Sequence, residues 1–349
     1  MNMTLIEMKR QGEYIKDTAY AMATQVYVRD NLPLRGTILL PYMTKPFVQI
    51  GRYQNAMEEV NLPYLKENKI GIVRRDTGGG TVYLDEGEIN VCFLDDSDNL
   101  DALSQFNLMY EPVLAIMREM GVENIEKNGR NDLEVEGKKV SGAALTITNG
   151  RAYGGFTLLF DVNWEHMTQV LRPNAKKMAS KSIKSVRSRV GNLRDYVGAA
   201  YKDWTSEQFL EYLLVKMTGA KDYDSIPKYE LTKADWAAID RSVEEKYGNW
   251  DWIFGAAPRF SYNRDHHFKG GTVDISLDIE HSRIAQCKIY GDFFGSRPIE
   301  ELEAALVGCP LREEDLTLRL EAVSLAEYMA GLTAADLVAL ILDQKLPQN

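Results

Sequence analysis

The segment Arg74–Tyr83 reads RRDTGGGTVY, with three successive glycines between two stretches that favour β-strands. Glycine lets a backbone take positive φ and approach a ligand closely, and the N–H groups of such a turn can hold anionic oxygens. Arg74 and Arg75 would add fixed charge and a fork that matches phosphate or carboxylate. A plain flexible turn is the alternative, but the arginines and strands favour a ligand loop. No G-K-[ST] follows, and no G-x-G-x-x-G opens a helix, which excludes a P-loop and a dinucleotide fingerprint.

Two lysines, Lys138 and Lys139, begin a predicted strand that follows Gly129-Arg130-Asn131-Asp132. Because side chains alternate along a strand, the two lysines point to opposite faces, and one of them can enter a cleft. A lysine opposite a ligand phosphate would stabilise the charge of an acyl-phosphate mixed anhydride. Two solvated turn lysines are an equally good interpretation of the spacing. Asp132 is either a contact to Mg²⁺ or adenine, or a carboxylate that flanks the turn.

A third segment is basic and contains interleaved serines. Its cations are Lys176, Lys177, Lys181, Lys184, Arg187 and Arg189. The pattern suits a mobile loop that closes over phosphates, although such runs are more often solvated faces. No aromatic residue is interleaved, which argues against stacking on single-stranded nucleic acid.

The composition excludes several classes of protein. The 41 Lys and Arg against 51 Asp and Glu give a net charge of −10, which disfavours nucleic acid as the main partner. Cys92, Cys287 and Cys309 form no C-x-x-C pair, so a disulfide framework or zinc site is not expected. The four histidines have no metal-ligand spacing. No stretch is apolar enough to span a membrane, and a cytoplasmic protein is expected.

The elements that must position these residues form an α/β or α+β chain. The clearest is a β-meander over 132–135, 139–148 and 151–162, with turns at Glu136-Gly137 and Asn149-Gly150. Asp17 is expected to cap a helix over 17–31. Further strands are predicted at 37–41, 47–51, 70–75, 81–85 and 88–94, and helices at 61–68, 103–120, 206–218 and 233–247.

The length of 349 residues suggests two domains of unequal size. We expect a larger domain over 1–248, a linker over about 249–258 and a small α+β domain over 259–349. In the small domain, the patterns predict strands at 271–277 and 284–290 and helices at 299–307 and 325–329. Ser324 is expected to cap the second helix, and Thr333 a final one.

The motifs, taken in order, resemble those of lipoate–protein ligases over nearly the whole chain. They are RRxxGGGxVYxDxGxxN at 74–90, GRND at 129–132, KVSGxA at 139–144, TLL at 157–159, SVRSRVxNL at 185–193, WxW at 250–252 and IYGDFF at 289–294. The resemblance implies a catalytic domain of the biotin/lipoate-ligase fold with a mixed β-sheet and a small accessory domain. It also implies that ATP and lipoate form lipoyl-AMP, from which the acyl group passes to a lysine of a carrier protein.

The same resemblance implies roles for individual residues. Lys139 falls on the essential lysine of the family, and Asp132 near adenine or Mg²⁺. The positions implied for lipoate and its adenylate are Arg75, Thr77, Gly78, Gly79, Gly80, Lys139, Gly155 and Thr157. The positions implied for the nucleotide are Val82, Tyr83, Asn90, Asp132, Ser141 and Ala144. The loop implied to close on the adenylate carries Lys181, Arg187 and Arg189.

Three departures from the family pattern concern the acyl pocket. Leu84 and Gly155 stand where many relatives carry histidine, and Gln25-Val26 stands where they carry a glutamate pair. The pattern is closer to a divergent second ligase type, which is associated with a carrier that resembles the glycine-cleavage H protein. A dehydrogenase E2 lipoyl domain is the other carrier implied.

Other functions remain open at this point. One is a ligase for another medium-chain acid such as octanoate. A transferase would use an acyl-cysteine, but Ala143-Ala144 follows Ser141-Gly142 where the nucleophile is expected. The last is a non-catalytic protein that binds the acyl group or the carrier.

Overall fold

The computed structural model describes residues 3–54, 56–96, 102–129, 131–148, 150–171, 189–254, 262–280 and 283–342, with backbone alone at 57, 58, 102 and 103. The strands up to residue 159 are β1 (Met3–Leu5), β2 (Lys9–Arg10), β3 (Glu13–Tyr14), β4 (Thr37–Tyr42), β5 (Phe47–Ile50), β6 (Gly71–Arg74), β7 (Val82–Leu84), β8 (Glu88–Asp96), β9 (Ile125–Asn128), β10 (Asp132–Val135), β11 (Lys138–Thr148) and β12 (Arg151–Leu159). The helices up to residue 253 are α1 (Thr18–Asn31), α2 (Ala56–Glu59), α3 (Leu62–Glu67), α4 (Ala102–Glu119), α5 (Trp164–Val170), α6 (Ser206–Thr218), α7 (Lys233–Ser242) and α8 (Trp250–Ile253).

A seven-stranded sheet with the order β1-β4-β8-β12-β11-β10-β9 forms the centre of the larger part of the chain. The β1–β4 pairing is parallel and the pairings from β4 to β9 are antiparallel, so the sheet is mixed, as predicted. The predicted meander is β10-β11-β12. Glu136 and Gly137 have φ of 53° and 74° in its first turn, which suits a two-residue hairpin loop.

The two faces of this sheet are covered differently. Helices α4 and α6 pack on one face, where Phe106, Tyr110 and Phe209 join the side chains of the strands in one core. Helix α1 covers part of the other face, and Met22 packs there with Cys92 and Tyr153. The cavity described below is lined by residues of α1, of strands of this sheet, of a smaller sheet with the order β6-β5-β7 and of the loop between β6 and β7.

Most helix ends agree with the predictions. The Asp17 side chain accepts a hydrogen bond from the Ala19 N–H at 2.8 Å, so the predicted cap of α1 is confirmed. Asn61, which precedes α3, makes no side-chain capping bond, and its amide donates to the Gln169 carbonyl at 3.2 Å. The helix predicted to run to Tyr247 ends at Ser242 and continues as a π-helical turn over Val243–Tyr247.

The remaining elements form a small α+β unit. They are β13 (Tyr262–Phe268), β14 (Gly271–Glu280), β15 (Arg283–Gly291), α9 (Ile299–Leu306), α10 (Glu313–Glu321), α11 (Leu325–Tyr328) and α12 (Ala334–Ile341). The three strands form an antiparallel sheet. Thr333 caps α12 as predicted, whereas Ser324 makes no capping bond. Strand β13 and helix α10 were not predicted. In the part of the chain described above, no helix is long and apolar enough to cross a membrane.

Candidate active site

A β-bulge places Lys139 in the cavity. In the pairing of β10 with β11, Leu133 is opposite Ser141 and Glu134 is opposite Lys139, so Val140 is an extra residue. Because of the extra residue, Lys139 and Ser141 point to opposite faces of the sheet although they are two residues apart. Ser141 points into the core, where its hydroxyl lies 3.0 Å from the Tyr110 hydroxyl. Lys139 lies on the cavity side, and Lys138 is exposed. Of the two predicted lysines, the second is therefore the one that faces the cleft.

The Lys139 ammonium forms an ion pair with Asp132. The Nζ–Oδ1 distance is 2.9 Å, and the two side chains are 34% and 30% exposed. Asp132 is opposite Gly142 in the register, and a Cβ at Gly142 would lie 3.0 Å from the Lys139 Nζ, so the glycine makes room for the lysine side chain. The pair is accessible to a ligand because neither group is buried.

The floor of the cavity is a stretch of small side chains on neighbouring strands. Ala144 is opposite Gly155, and Gly155 is opposite Cys92. A Cβ at Gly155 would lie 2.6 Å from the Val91 carbonyl oxygen, so a side chain there requires a backbone shift. Thr157, two residues further along β12, borders the Lys139 end. The floor is flat because this sequence has no side chain at Gly155.

Arg75 is a buried cation without a carboxylate partner in the part of the structure that is described. Its guanidinium donates to the Gly78 and Gly80 carbonyls at 2.7 and 2.8 Å. Burial lowers its pKa to about 10, so it remains charged at neutral pH. Carbonyl dipoles satisfy its hydrogen bonds but leave its charge uncompensated, which favours an anion in the cavity that it lines.

Arg74 does not have the role expected from the sequence. Its guanidinium donates to the carbonyls of Gly51, Gln54 and Ile253 at 2.8, 2.7 and 2.6 Å, and it is buried. These bonds join α8, at the start of the predicted linker, to the loop after β5. In return, the Trp252 indole donates to the Arg74 carbonyl at 2.9 Å. Arg74 is therefore a structural residue and not a ligand-binding one.

The glycine loop contacts the small C-terminal unit. The Gly79 N–H donates to the Phe293 carbonyl at 3.3 Å, and Gly79 has a φ of 90°. A Cβ at Gly78 would lie 2.1 Å from the same carbonyl oxygen, whereas a Cβ at Gly80 would meet nothing within 4 Å. The first two glycines thus allow the loop to pack against 293–294, and the third remains open towards the cavity.

The cavity has a volume of about 130 Å³. Towards one end it is bordered by Lys139, Gly142 and Thr157, and towards the other by a set of polar and sulfur-containing side chains. That set is Met22, Gln25, Tyr42, Gln49, Cys92 and Tyr153. Tyr153 is four residues from Thr157 on β12, so the two ends are about 13 Å apart at about 3.3 Å per residue. An extended medium-chain acid fits this length.

The predicted site residues divide into three groups. Those that line the cavity are Arg75, Thr77, Gly79, Gly80, Val82, Lys139, Ala144, Gly155 and Thr157. Five others do not line the cavity. Two of them are Gly78 and Asp132, and the other three, Tyr83, Asn90 and Ser141, are buried. Lys181 and Arg187 lie outside the described residues. Arg189 is exposed, and the next residue, Val190, forms a β-bridge with Lys139, so the end of the basic segment lies beside the lysine.

Of the three departures from the family pattern, two are at the cavity. Gln25 and Gly155 line it, whereas Leu84 is buried in the core beneath α1 and does not. Leu84 was expected at the acyl pocket, and its strand, β7, instead turns it into the apolar core.

Sequence reasoning missed Glu88, which is almost fully buried. Its carboxyl group accepts a hydrogen bond from Thr157, and its Oε2 has no hydrogen-bond partner among the described residues. Burial raises its pKa from an ordinary 4.5 to about 8. The sequence feature that could have identified Glu88 is its position as the acidic first residue of an otherwise apolar strand, EINVCFL.

No metal centre formed by protein side chains alone is evident. Within the described ranges, no group of three or more His, Cys, Asp or Glu is placed to hold a metal ion. The three cysteines are free and buried. Burial raises the pKa of the Cys92 thiol, so this residue, although at the cavity, is not an activated nucleophile.

The larger part of the chain is thus built on a mixed sheet in which a lysine and a glycine loop line one cavity, and a small α+β unit packs against that loop. Residues 17–218 match the model of the lipoyl protein ligase A/B catalytic domain, and residues 257–341 match that of the bacterial lipoate protein ligase C-terminus. The chain belongs to the lipoate–protein ligase family.

Individual relatives agree with this assignment. The chain is 48% identical over 339 residues to a lipoate–protein ligase of Streptococcus pyogenes, covering 97% of this chain and 99% of that protein. A crystal structure of P. falciparum LipL1 in complex with lipoate has a TM-score of 0.78 at 19% identity and shares the fold over 98% of this chain and 100% of its own. A lipoate–protein ligase A bound with ATP has a TM-score of 0.60 at 26% identity, covering 73% of this chain and 99% of its own.

Proposed function

We propose that this protein activates lipoate with ATP and transfers the lipoyl group to a lysine of a carrier protein. The observation that carries the proposal is the position of Lys139, whose ammonium lies at the mouth of a cavity long enough for a medium-chain acid. The names of the relatives supply the acid and the protein acceptor, and the ATP-bound ligase A supplies the nucleotide.

The first step joins the acid to AMP. A carboxylate oxygen of lipoate attacks the α-phosphorus of ATP, and pyrophosphate leaves with the electron pair of the broken P–O bond. Negative charge on the phosphoryl oxygens increases at the transition state, and Lys139 is placed to stabilise it. The uncompensated charge of Arg75 would hold the anionic reactants in the cavity.

The second step transfers the acyl group. The neutral amine of the acceptor lysine attacks the carbonyl carbon of the mixed anhydride, the C–O bond to AMP breaks, and the amine nitrogen loses a proton. Lys139 would stabilise both the carbonyl oxygen and the departing phosphate. Asp132 would keep the Lys139 side chain in position through both steps, because the ion pair restricts it.

The other predicted residues receive roles that follow from their positions. Val82 and Ala144 line the cavity and would contact the adenylate. Tyr83, Asn90 and Ser141 would support its wall, because each is buried and adjoins a lining residue in sequence, Val82, Val91 and Gly142 respectively. Arg189, Arg187 and Lys181 would close over the phosphates, an idea supported by the β-bridge that brings Val190 beside Lys139.

Mg²⁺ is proposed as the ion that accompanies ATP. This ion keeps much of its water and is commonly bound by one or two carboxylates together with substrate phosphates. The half-exposed carboxylate of Asp132 fits that arrangement, with the phosphates as the remaining ligands. When bound, the ion would neutralise phosphate charge.

We also propose a catalytic domain over 1–248 and an accessory domain over 259–349. The two family matches, which end at 218 and resume at 257, support this division. The segment proposed as the linker starts with α8, which Arg74 fixes to the catalytic domain, so relative movement of the domains would begin after Ile253. The carrier is proposed to be a glycine-cleavage H-like protein or a dehydrogenase E2 lipoyl domain.

Mass spectrometry of a carrier incubated with the protein, ATP, Mg²⁺ and lipoate tests the proposal. We expect an ATP-dependent mass gain of one lipoyl group and release of pyrophosphate. Lys139→Ala should abolish both, while Lys138→Ala, a change at the neighbouring exposed lysine, should leave them unchanged. Absence of pyrophosphate release from the wild-type protein with lipoate, octanoate and related acids would instead support a binding protein.

A further inference from the structure

Gln25 presents an unpartnered amide to the cavity. The residue lies on α1, is 4% exposed and lines the cavity wall. Its Oε1 accepts a hydrogen bond from the Tyr153 hydroxyl at 3.4 Å, whereas its Nε2 has no partner among the described residues. A buried N–H group without a partner carries a desolvation cost that a bound acceptor atom would remove.

The surroundings of Gln25 are more polar than a simple alkyl tail requires. The Gln49 amide donates to the Tyr42 hydroxyl at 3.3 Å and contacts the Met22 sulfur at 3.4 Å. Both of its N–H groups are therefore occupied. Among the two amides at this end of the cavity, the donor that remains for a ligand is that of Gln25.

This donor lies at the end of the cavity remote from Lys139. Tyr153, to which Gln25 is bonded, is separated from Thr157 by about 13 Å of strand at about 3.3 Å per residue. If the carboxylate of the acid lies at Lys139, the distal end of a medium-chain acid reaches Gln25. An alkanoate would place a methyl group against the N–H, whereas a dithiolane ring would place a sulfur acceptor there.

We propose that Gln25 is a specificity-determining residue, whose amide N–H binds the dithiolane sulfur of the acid and so selects it over a plain alkanoate of the same chain length. The proposal rests on the proposed function, because it takes Lys139 as the carboxylate end. It assigns a physical reason to one departure from the family pattern, the glutamine on the first helix. A site with a buried donor discriminates strongly against an analogue that leaves the donor unpaired.

Measurement of pyrophosphate release with lipoate and with octanoate tests the proposal. In Gln25→Met and in Gln25→Leu, we expect the ratio of kcat/KM for lipoate to kcat/KM for octanoate to fall about tenfold, the effect of one hydrogen bond. The change should appear in KM for lipoate, since the distal contact is the same in the ground and transition states. An unchanged ratio in both variants would overturn the proposal.

A further variant separates the hydrogen bond from a disturbed helix. Thr24→Val removes the neighbouring buried hydroxyl of α1, which has no partner among the described residues and does not line the cavity, and should preserve the ratio. An equal fall of the ratio in Thr24→Val would overturn the proposal. Failure of the wild-type protein to activate either acid would count against the proposed function itself.

Discussion

The Lys139 ammonium lies 2.9 Å from the Asp132 carboxylate across a β-bulge, and both groups remain accessible from the cavity. Half-exposed ion pairs of this kind contribute less than about 1 kcal/mol to stability. The contact is therefore better suited to orient the lysine than to hold the fold together.

Asp132→Asn should separate the effect of the ion pair on catalysis from its effect on stability. The variant keeps the shape of the side chain but removes the charge that restrains Lys139, so we expect kcat for pyrophosphate release to fall about 10- to 100-fold, the size of a positioning effect. The melting temperature should change little. Glu134→Gln, at the position opposite Lys139 in the register, is the control and should retain wild-type turnover. Wild-type kcat in Asp132→Asn would exclude a positioning role for the carboxylate.

The glycine loop provides a second prediction. Gly78→Ala would place a methyl group 2.1 Å from the Phe293 carbonyl oxygen, so the loop or the C-terminal unit must move. Overpacking of this kind costs about 1–3 kcal/mol of unfolding free energy. Gly80→Ala meets nothing within 4 Å and should change stability by less than about 0.5 kcal/mol. Urea unfolding of the two variants compares them, and equal stabilities would show that the loop does not pack tightly against 293–294.

Local patterns in the sequence predicted much of the fold. The meander, the α1 cap at Asp17 and the cap at Thr333 depend on residues that are close in sequence, and all three are confirmed. The bulge at Val140 could not be predicted, because it depends on how β10 and β11 pair. Strand β13 was missed because its sequence, YNRDHHF, is polar and is stabilised by pairing with β14.

In the candidate site, too, some features depend on local sequence and others on tertiary contacts. The glycine loop could be predicted from residue types and spacing, and Lys139 from the family resemblance, but the different roles of Arg74 and Arg75 could not be predicted from residue types. Arg74 is bonded to carbonyls of Gln54 and Ile253, which are 20 and 179 residues away in sequence. Only tertiary contacts decide which of two adjacent arginines faces the ligand.

The buried Glu88 predicts a pH-dependent stability. Its folded-state pKa of about 8 lies above the ordinary 4.5, so the native state binds a proton that the unfolded state releases between these values. Below pH 4.5 the group has no effect, and the protein loses stability as the pH rises towards 8. Glu88→Gln removes this proton, and we expect its melting temperature relative to wild type to rise steadily from pH 5 to pH 8.

Glu86→Gln is the matched control for this experiment, since Glu86 lies two residues away and is exposed. Its melting temperature should follow that of the wild-type protein at every pH. A constant difference between Glu88→Gln and wild type over the whole range would mean that Glu88 is ionised in the native state, contrary to the effect of its burial.

Asp76 links the glycine loop to the π-helical turn that follows α7, and this contact supports the last prediction. Its carboxylate accepts hydrogen bonds from the Lys246 ammonium at 2.6 Å and from the Tyr247 hydroxyl. Tyr247 is fully buried, so Tyr247→Phe removes the hydrogen bond to the Asp76 Oδ2 in a site that water cannot easily enter, while the bond from Lys246 to Oδ1 remains. A bond to a charged group contributes about 1.5–3 kcal/mol, and we expect a loss of unfolding free energy in that range.

Tyr64→Phe is the control, because the Tyr64 hydroxyl contacts the His166 ring nitrogen at 3.1 Å and that bond involves no carboxylate. Its removal should cost about 0.5–1.5 kcal/mol. Because Asp76 immediately precedes Thr77 and the three glycines, Tyr247→Phe should also raise KM for the acid, whereas Tyr64→Phe should not. If Tyr247→Phe lowers stability and leaves KM unchanged, the π-helical turn stabilises the fold without positioning the loop.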